Sequence, residues 1–483
     1  MKKIFKHIKV VVAFVLLIIT LSACDSWLSI APENDLIKEK FWSKKEDAEG
    51  GLASAYDAFR DAALESFIWG ELRADFVEFN HPNFGEYENI ASSNINPTNG
   101  KIKWNKYYEA INLANTYMHF APEVMEKDNS FTKQLKNEFD SEALFIRSLS
   151  YFYLVRVWKE VPLVTEASIS DQGDLFTAKN TEKEVINQII TDLLKAKDLA
   201  VTEKYRNIPE YYKGRANKYS IMALLADVYL WDEQYQKASD YCDSIINTGL
   251  FNLVDLNNWF TLYYPGNAQS ESIFEIQFND NLESQENPLY NELYASLKFP
   301  RVKLNDVMLS TIFDKTTDNR IKKSPLIKYG QTDNKSGVRS SSQRDANFIY
   351  YRYADVLLAK AEALTEMNQL IEANALVKLT KERAGLSHTE IVKQKDLRQE
   401  IVDERGREFV MEGKRWFDLL RNAKRNKFEN KQIIINMILS GADIKQQAIL
   451  RTRVYDTMSY YLPIPENELL YNPQLVQNPF YER

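Results

Sequence analysis

The stretch "ALLADVYLWDEQYQKASDYCDSIINTG", residues 223–249, decides the fold, because it returns in altered form as "LLAKAEALTEMNQLIEANALVKLTKERAG" at residues 357–385. In the first copy Ala226 is followed after 12 residues by Ala238 and after 23 by Gly249; in the second, Ala361 is followed after 12 by Ala373 and after 24 by Gly385. Small residues at matched positions let two helices approach closely, and a glycine ends the second one. Each copy is therefore expected to be a helical hairpin. The copies start about 135 residues apart, so they are not tandem and a simple solenoid is not expected.

Working outward, helical periodicity dominates the chain. Asp47–Phe59, Trp104–Phe120, Glu138–Trp158 and Glu182–Leu199 read as amphipathic helices, the last with Ile186, Ile189, Ile190, Leu193 and Leu194 on one face. The hairpin pattern is that of tetratricopeptide repeats, and these helices are expected to supply further pairs of the same type. Two segments differ. Phe67–Lys103 is rich in Asn, aromatics, Pro and Gly, and Asn252–Arg344 is richer still in loop residues around a β-like run at Ser272–Phe278. The fold class is thus all-α: a tetratricopeptide-like hairpin scaffold with inserted loops and short β elements. Recognition belongs on the insertions, near 67–103 and 252–344, more than on the repeats. The C-terminal "TMSYYLPIPENELLYNPQLVQNPFYER" is expected to run extended along the surface.

The first residues place Lys2, Lys3, Lys6 and Lys9 before an apolar run from Val10 to Leu21, which is the order of a secretory signal and too short to span a bilayer. The run ends in Leu21-Ser22-Ala23-Cys24, which resembles a bacterial lipobox. Residues 1–23 are accordingly expected to be a signal peptide, Cys24 the lipidation site, and residues 24–483 a single domain anchored to a membrane. Removing residues 1–23 takes four lysines and no acids, moving the formal charge from −7 to −11. An acidic chain is a poor nucleic-acid partner, since phosphates demand a basic face. Cys242 would then have no disulfide partner, leaving stability to the core.

Several blocks resemble the SusD/RagB family of outer-membrane nutrient-binding lipoproteins, and they occur in the family's order. They are "FWSKKEDAEGGLASAYDAF" (41–59), "ALFIRSLSYFYLVRVWKEVPLV" (143–164), "RYADVLLAKAEAL" (352–364), "ERGREFVMEGKRWFDLLR" (404–421) and "YYLPIPENELLYNPQLVQNPFY" (460–481). Lys159-Glu160 departs from the family, which often has a glycine turn there. The resemblance implies four tetratricopeptide-like pairs, no enzymatic activity, no cofactor, and a cell-surface position on the outer membrane. It also implies a partner, a SusC-like TonB-dependent β-barrel transporter over which the protein sits as a hinged lid. The ligand in most members is an oligosaccharide; the RagB-like branch captures peptides, and both remain open here.

Glu404, Glu408 and Glu412 recur every four residues in a predicted helix Glu400–Arg421. Paired glycosidase carboxylates flank a bond from opposite sides, which one helix face does not provide. An ion-pair network with Arg405, Arg407, Arg415 and Arg421 is the expected alternative. No HExxH, CxxC or GxSxG motif occurs, and no metal site is expected. Carbohydrate sites combine aromatic platforms with amide, carboxylate and guanidinium groups. On that ground the candidates are Trp69, Arg73, Asp75, Asn80, His81, Phe84, Tyr87 and Asn96 in the first insertion. Gln285, Asn287, Tyr290 and Tyr294 are those of the second. Trp42, Trp104, Trp158, Trp259 and Trp416 are assigned to core packing.

Overall fold

The helical periodicity becomes a continuous stack. The computed structural model describes residues 41–80, 85–169, 176–201, 207–263, 266–267, 270–282, 285–289, 292–293, 301–314, 317–322, 328–329, 344–442 and 444–482. Cys24 and the expected signal segment lie outside them. The scaffold helices are α1 (Lys45–Asp61), α2 (Asn105–Lys127), α3 (Lys133–Trp158), α4 (Glu182–Leu199) and α5 (Lys218–Trp231), followed by α6 (Tyr235–Ile246), α7 (Tyr353–Glu366), α8 (Leu370–Arg383), α9 (Gln394–Phe409) and α10 (Arg415–Phe428). Each packs on the next in chain order, including α6 on α7 across the long insertion. The two repeats, far apart in sequence, are therefore neighbours in space.

Their hairpins turn in the same register. Seven residues after Ala226 and Ala361, Glu233 and Asn368 adopt left-handed backbone (φ 57° and 61°). In both turns the next residue, Gln234 or Gln369, donates its N–H to a carbonyl five residues back at 2.8 Å. Ala226, Ala238, Ala361 and Ala373 are buried, as close helix approach requires. Local caps set the helix starts: Thr181 and Glu184 form a capping box on α4, and the Asn217 side chain accepts from Tyr219 and Ser220 at α5. Helix α3 is buried along nearly its whole length from Glu138 onward, so it forms the centre of the core. Its arginines are compensated: Arg147 pairs with Asp192 through two 2.8 Å bonds.

Among the described residues there are also six short strands: β1 (Val77–Phe79), β2 (Val161–Pro162), β3 (Lys179–Asn180), β4 (Ser272–Ile276), β5 (Val302–Leu304) and β6 (Phe348–Arg352). The β-like run at Ser272–Phe278 is thus a strand, and it pairs antiparallel with β6 where the long insertion leaves and rejoins the scaffold. β1 pairs antiparallel with β5, Val77 opposite Leu304 and Phe79 opposite Val302. That ladder joins the two insertions to each other.

Two expectations are corrected. The predicted helix Glu400–Arg421 breaks after Phe409, because Met411 and Gly413 take positive φ (67° and 71°), and α10 restarts at Arg415. The C-terminal segment is not a surface strap throughout: Tyr460, Tyr461, Leu462 and Ile464 are buried. Leu462 N–H donates to the Val157 carbonyl (2.9 Å) and Trp158 Nε1 donates to the Pro463 carbonyl (2.8 Å), fastening the segment onto the end of α3. Trp42, Trp104, Trp158, Trp259 and Trp416 are all in the core, as assigned from sequence.

Candidate functional site

The carboxylates of α9 are spent on structure. Glu404, Glu408, the following Glu412 and the cations that meet them are almost wholly enclosed. Arg320 bonds Asp318 (2.8 Å), Glu404 (2.9 Å) and Glu408 (2.9 Å). Arg352 bonds Glu271 (2.6 Å), Glu408 (2.6 Å) and Glu412 (3.0 Å), Lys328 bonds Glu412 (2.6 Å), and Arg383 also pairs with Glu408. Burial alone would raise the Glu412 pKa, yet Arg352 and Lys328 pull it down to about 2. All three glutamates are thus held as anions by neighbouring cations, with no proton to donate to a glycosidic oxygen. Because Asp318, Arg320 and Lys328 belong to the second insertion, this lattice also anchors that insertion to the scaffold.

The first insertion is anchored by a different carboxyl. Ile68–Leu72 forms a π-helical turn whose Gly70 approaches so closely that a Cβ there would lie 1.7 Å from the Gly413 carbonyl oxygen. The next residue, Glu71, is fully buried and accepts from Met411 N–H (2.8 Å) and Gly413 N–H (3.0 Å), capturing the turn between α9 and α10. Burial pushes its carboxyl up to about 7 in spite of these donors.

With both insertions fixed, a cleft of about 370 Å³ opens beside the β1–β5 ladder. Asp75, Glu78, Phe79 and Asn80 line it from the first insertion, Asn305, Val307 and Met308 from the second, and Met437, Ile438 and Gln446 from the segment after α10. Asn305 is oriented by capping the short helix Asp306–Ile312, accepting from Val307 and Met308 N–H at 3.0 Å each, while its amide donates to Glu78 (3.3 Å). Apolar side chains thus stand among carboxylate and amide acceptors, and Lys, Arg and His are absent from the described lining. Such a surface suits a ligand with apolar faces and many hydroxyl donors.

A second cleft of about 470 Å³ lies between α1, the helical turn Pro209–Gly214 and the end of β4. Its lining includes Tyr56, Asp57, Arg60, Tyr211, Gln277 and Gln285.

The predicted residues divide between these clefts and the core. Asp75 and Asn80 reach the first cleft and Gln285 the second. Asp75 also forms a two-bond pair with Arg415 (2.9 Å each). Trp69 is 1% exposed, stacked on Tyr107 with Nε1 donating to the Lys101 carbonyl (3.1 Å), so its ring is a core element and offers no platform. Arg73 is enclosed over the Trp416 ring (4.0 Å) and bonds the Ser459 carbonyl (3.0 Å). Asn287 is likewise buried, bonding Ala346 and Leu289 backbone. Tyr87 is buried with its hydroxyl on Glu292 (2.7 Å), and Asn96 is an exposed turn cap for Thr98. His81, Phe84, Tyr290 and Tyr294 lie outside the described residues. Sequence reasoning missed Glu78, Phe79, Asn305, Tyr211 and Gln277; all but Tyr211 fell inside the two flagged insertions, and Glu78 and Phe79 immediately precede Asn80.

Comparison with known proteins agrees with this architecture. Residues 27–230 match a family model described as "Starch-binding associating with outer membrane", and residues 302–481 match that of the SusD family. A SusD-like protein of Formosa agariphila is 28% identical, covering 88% of this chain and 93% of its own length. A SusD-like protein of Bacteroides ovatus is 25% identical over 99% of this chain and 98% of its own. Among solved structures, a SusD superfamily protein from Bacteroides thetaiotaomicron superposes with TM-score 0.72 at 23% identity, covering 91% of this chain and 99% of that one. A laminarin-binding SusD-like protein superposes with TM-score 0.69 at 21% identity, covering 90% of this chain and 99% of that one.

Proposed function

Because the chain belongs to the SusD family, we propose that it is a cell-surface lipoprotein that captures oligosaccharides and delivers them, as a lid, to a SusC-like TonB-dependent transporter. In this reading residues 1–23 are removed, Cys24 carries the lipid, and residues 24–483 act as one domain. The observation that carries it is the first cleft: two sequence-distant insertions are clamped together by the β1–β5 ladder into one acceptor-rich surface with apolar patches. Its lining sharpens the ligand class. Asp75 is already paired with Arg415 and Glu78 with Lys303 (2.7 Å), so the lining offers hydrogen-bonding groups with little uncompensated charge, which suits neutral sugars. A few hydrogen bonds and apolar contacts on a solvated face give roughly micromolar to millimolar affinity, so retention falls to closure over the transporter.

The carboxylate and amide acceptors of the same lining also suit, as the second reading, a peptide whose backbone N–H groups donate to them. Isothermal titration calorimetry of residues 25–483, which retain every described residue, separates them. Maltoheptaose and laminarihexaose serve as neutral probes, a sulfated galactan oligosaccharide as the charged one, and tryptic peptides as the competing class. Saturable binding of a neutral glycan, weakened about tenfold by Asn80→Ala, is the expected result. Peptide binding without any glycan response would transfer the protein to peptide capture. Protease shaving of intact cells checks the orientation; a chain protected until the outer membrane is breached would remove the lid role.

A further inference from the structure

Among the described residues, the second cleft shares no lining residue with the first and is formed by different elements. Its most conspicuous feature is Tyr211, an aromatic side chain that remains 51% exposed although it lies on a well-packed helical turn. Exposed single apolar residues are ordinary on protein surfaces, so the ring alone carries nothing. What distinguishes it is the polar equipment held around it.

Gly214 brings the turn against the end of β4: a Cβ there would lie 2.7 Å from Gln277 Cγ. Gln277 is fixed in turn by reciprocal amide bonds with Asn267 (2.7 and 3.1 Å) and by Asn347 (3.0 Å). Across the cleft, the Tyr56 hydroxyl donates to Glu142 (2.7 Å) and accepts from Ala216 N–H (2.8 Å), while Arg215 clasps the same Glu142 (2.8 and 2.9 Å). Asp57 and Arg60 are paired on the α1 side. The walls are thus pre-organised, and the cleft presents an aromatic face, an oriented amide and an adjacent donor and acceptor pair.

We propose that this cleft is a second carbohydrate subsite, with Tyr211 stacking on the apolar face of a neutral pyranose while Gln277 and the Asp57–Arg60 pair engage its hydroxyls. A volume of about 470 Å³ falls in the range of small-molecule sites, roughly 300–1,000 Å³. Charge selects against anionic sugars: Glu49, Asp57 and Glu210 outnumber Arg60 and Arg215, and Arg215 is already committed to Glu142. Two weak subsites on one chain would hold a long glycan by avidity, since the second engagement is intramolecular. The inference takes only its ligand class from the proposed function; the place and the residues are independent of the first cleft.

Hydrogen–deuterium exchange of residues 25–483 with and without maltoheptaose or laminarihexaose reads both clefts at once. The expected result is new protection at residues 209–215 and 276–282. Tyr211→Ala should weaken neutral-glycan binding at this site about tenfold, whereas Tyr211→Phe, which keeps the ring, should stay within about threefold of the parent. Both changes fall on an exposed side chain. Protection confined to residues 77–80 and 301–308, protection nowhere with either probe, or a Tyr211→Ala protein indistinguishable from the parent would each overturn the subsite. Protection at 209–215 without any at 77–80 and 301–308 would uphold it while removing the first cleft from the proposed function.

Discussion

Replacing Glu71 with Gln isolates the carboxyl that bonds the first insertion to the backbone of the α9–α10 turn. Glu71 is fully buried, and each of its oxygens accepts one backbone N–H, from Met411 at 2.8 Å and from Gly413 at 3.0 Å. Burial raises its pKa from 4.5 to about 7. The folded chain therefore binds more protons than the unfolded one between those values, and stability must fall as pH rises through that window. Integrated for a single site, the loss between about pH 5 and about pH 8 is about 2.5 kcal/mol. Gln does not ionise and escapes this loss. Its NH2 group, however, faces one of the two backbone donors and leaves it unpaired, a pH-independent penalty of about 1–3 kcal/mol. In urea unfolding across this pH range, the variant should begin less stable and close the gap by about 2.5 kcal/mol as pH rises. Glu275, also pushed up to about 7 by burial, titrates in both proteins and cancels from the difference. Parallel stability curves would refute the reasoning, because they would mean that Glu71 does not change its proton occupancy differently in the folded and unfolded chains.

Arg352→Met removes the guanidinium shared by Glu271, Glu408 and Glu412 and should cost about 3–5 kcal/mol, seen as a melting temperature lower by about 3–5 °C; an unchanged transition would mean that Arg383, Lys328 and Arg320 suffice without it. Gly70→Ala drives a Cβ into the Gly413 carbonyl at 1.7 Å, backbone against backbone, so loss of the folded monomer on size-exclusion chromatography is expected, and a normally folded monomer would sink the close-approach argument. Gly249→Ala and Gly385→Ala separate backbone strain from collision. Both glycines have positive φ, but a Cβ at 249 meets open space while one at 385 would lie 2.3 Å from Asn319 Nδ2. The first should cost about 1 kcal/mol in urea unfolding and the second clearly more; equal losses would show that Asn319 gives way freely.

The scaffold was legible because its signals are local. Matched Ala and Gly spacing announced the two hairpins, and the apolar face of Ile186, Ile189 and Leu193 announced α4. The helix break after Phe409 was hidden by the four-residue period of Glu404, Glu408 and Glu412, which runs straight through it; Gly413 was the available warning. The site was less legible because its geometry is non-local. Nothing near Val77 specifies pairing with Leu304, and nothing near Trp69 reveals that Gly70 will press against Gly413 and carry that ring into the core. Tyr211 escaped notice for the converse reason. It lies outside both insertions, and only folding brings it beside Gln277 and Gln285.

The buried charges explain how loops so poor in local order can hold a binding face. Asp318, Arg320 and Lys328 come from the second insertion, Glu271 from its beginning, and Glu404, Glu408 and Glu412 from α9 and the turn after it. A hydrophobic anchor of similar size would tolerate sliding, because apolar contact is non-directional. Bidentate guanidinium bonds are satisfied in few arrangements, and any displaced partner leaves a buried ion unpaired at a cost of several kcal/mol. The lattice therefore fixes where the second insertion leaves the scaffold, and the β1–β5 ladder passes that position to the first insertion. What α9 contributes to ligand capture is register rather than contact, which is why its carboxylates are deep in the protein while the acceptors of the first cleft stand beside the ladder.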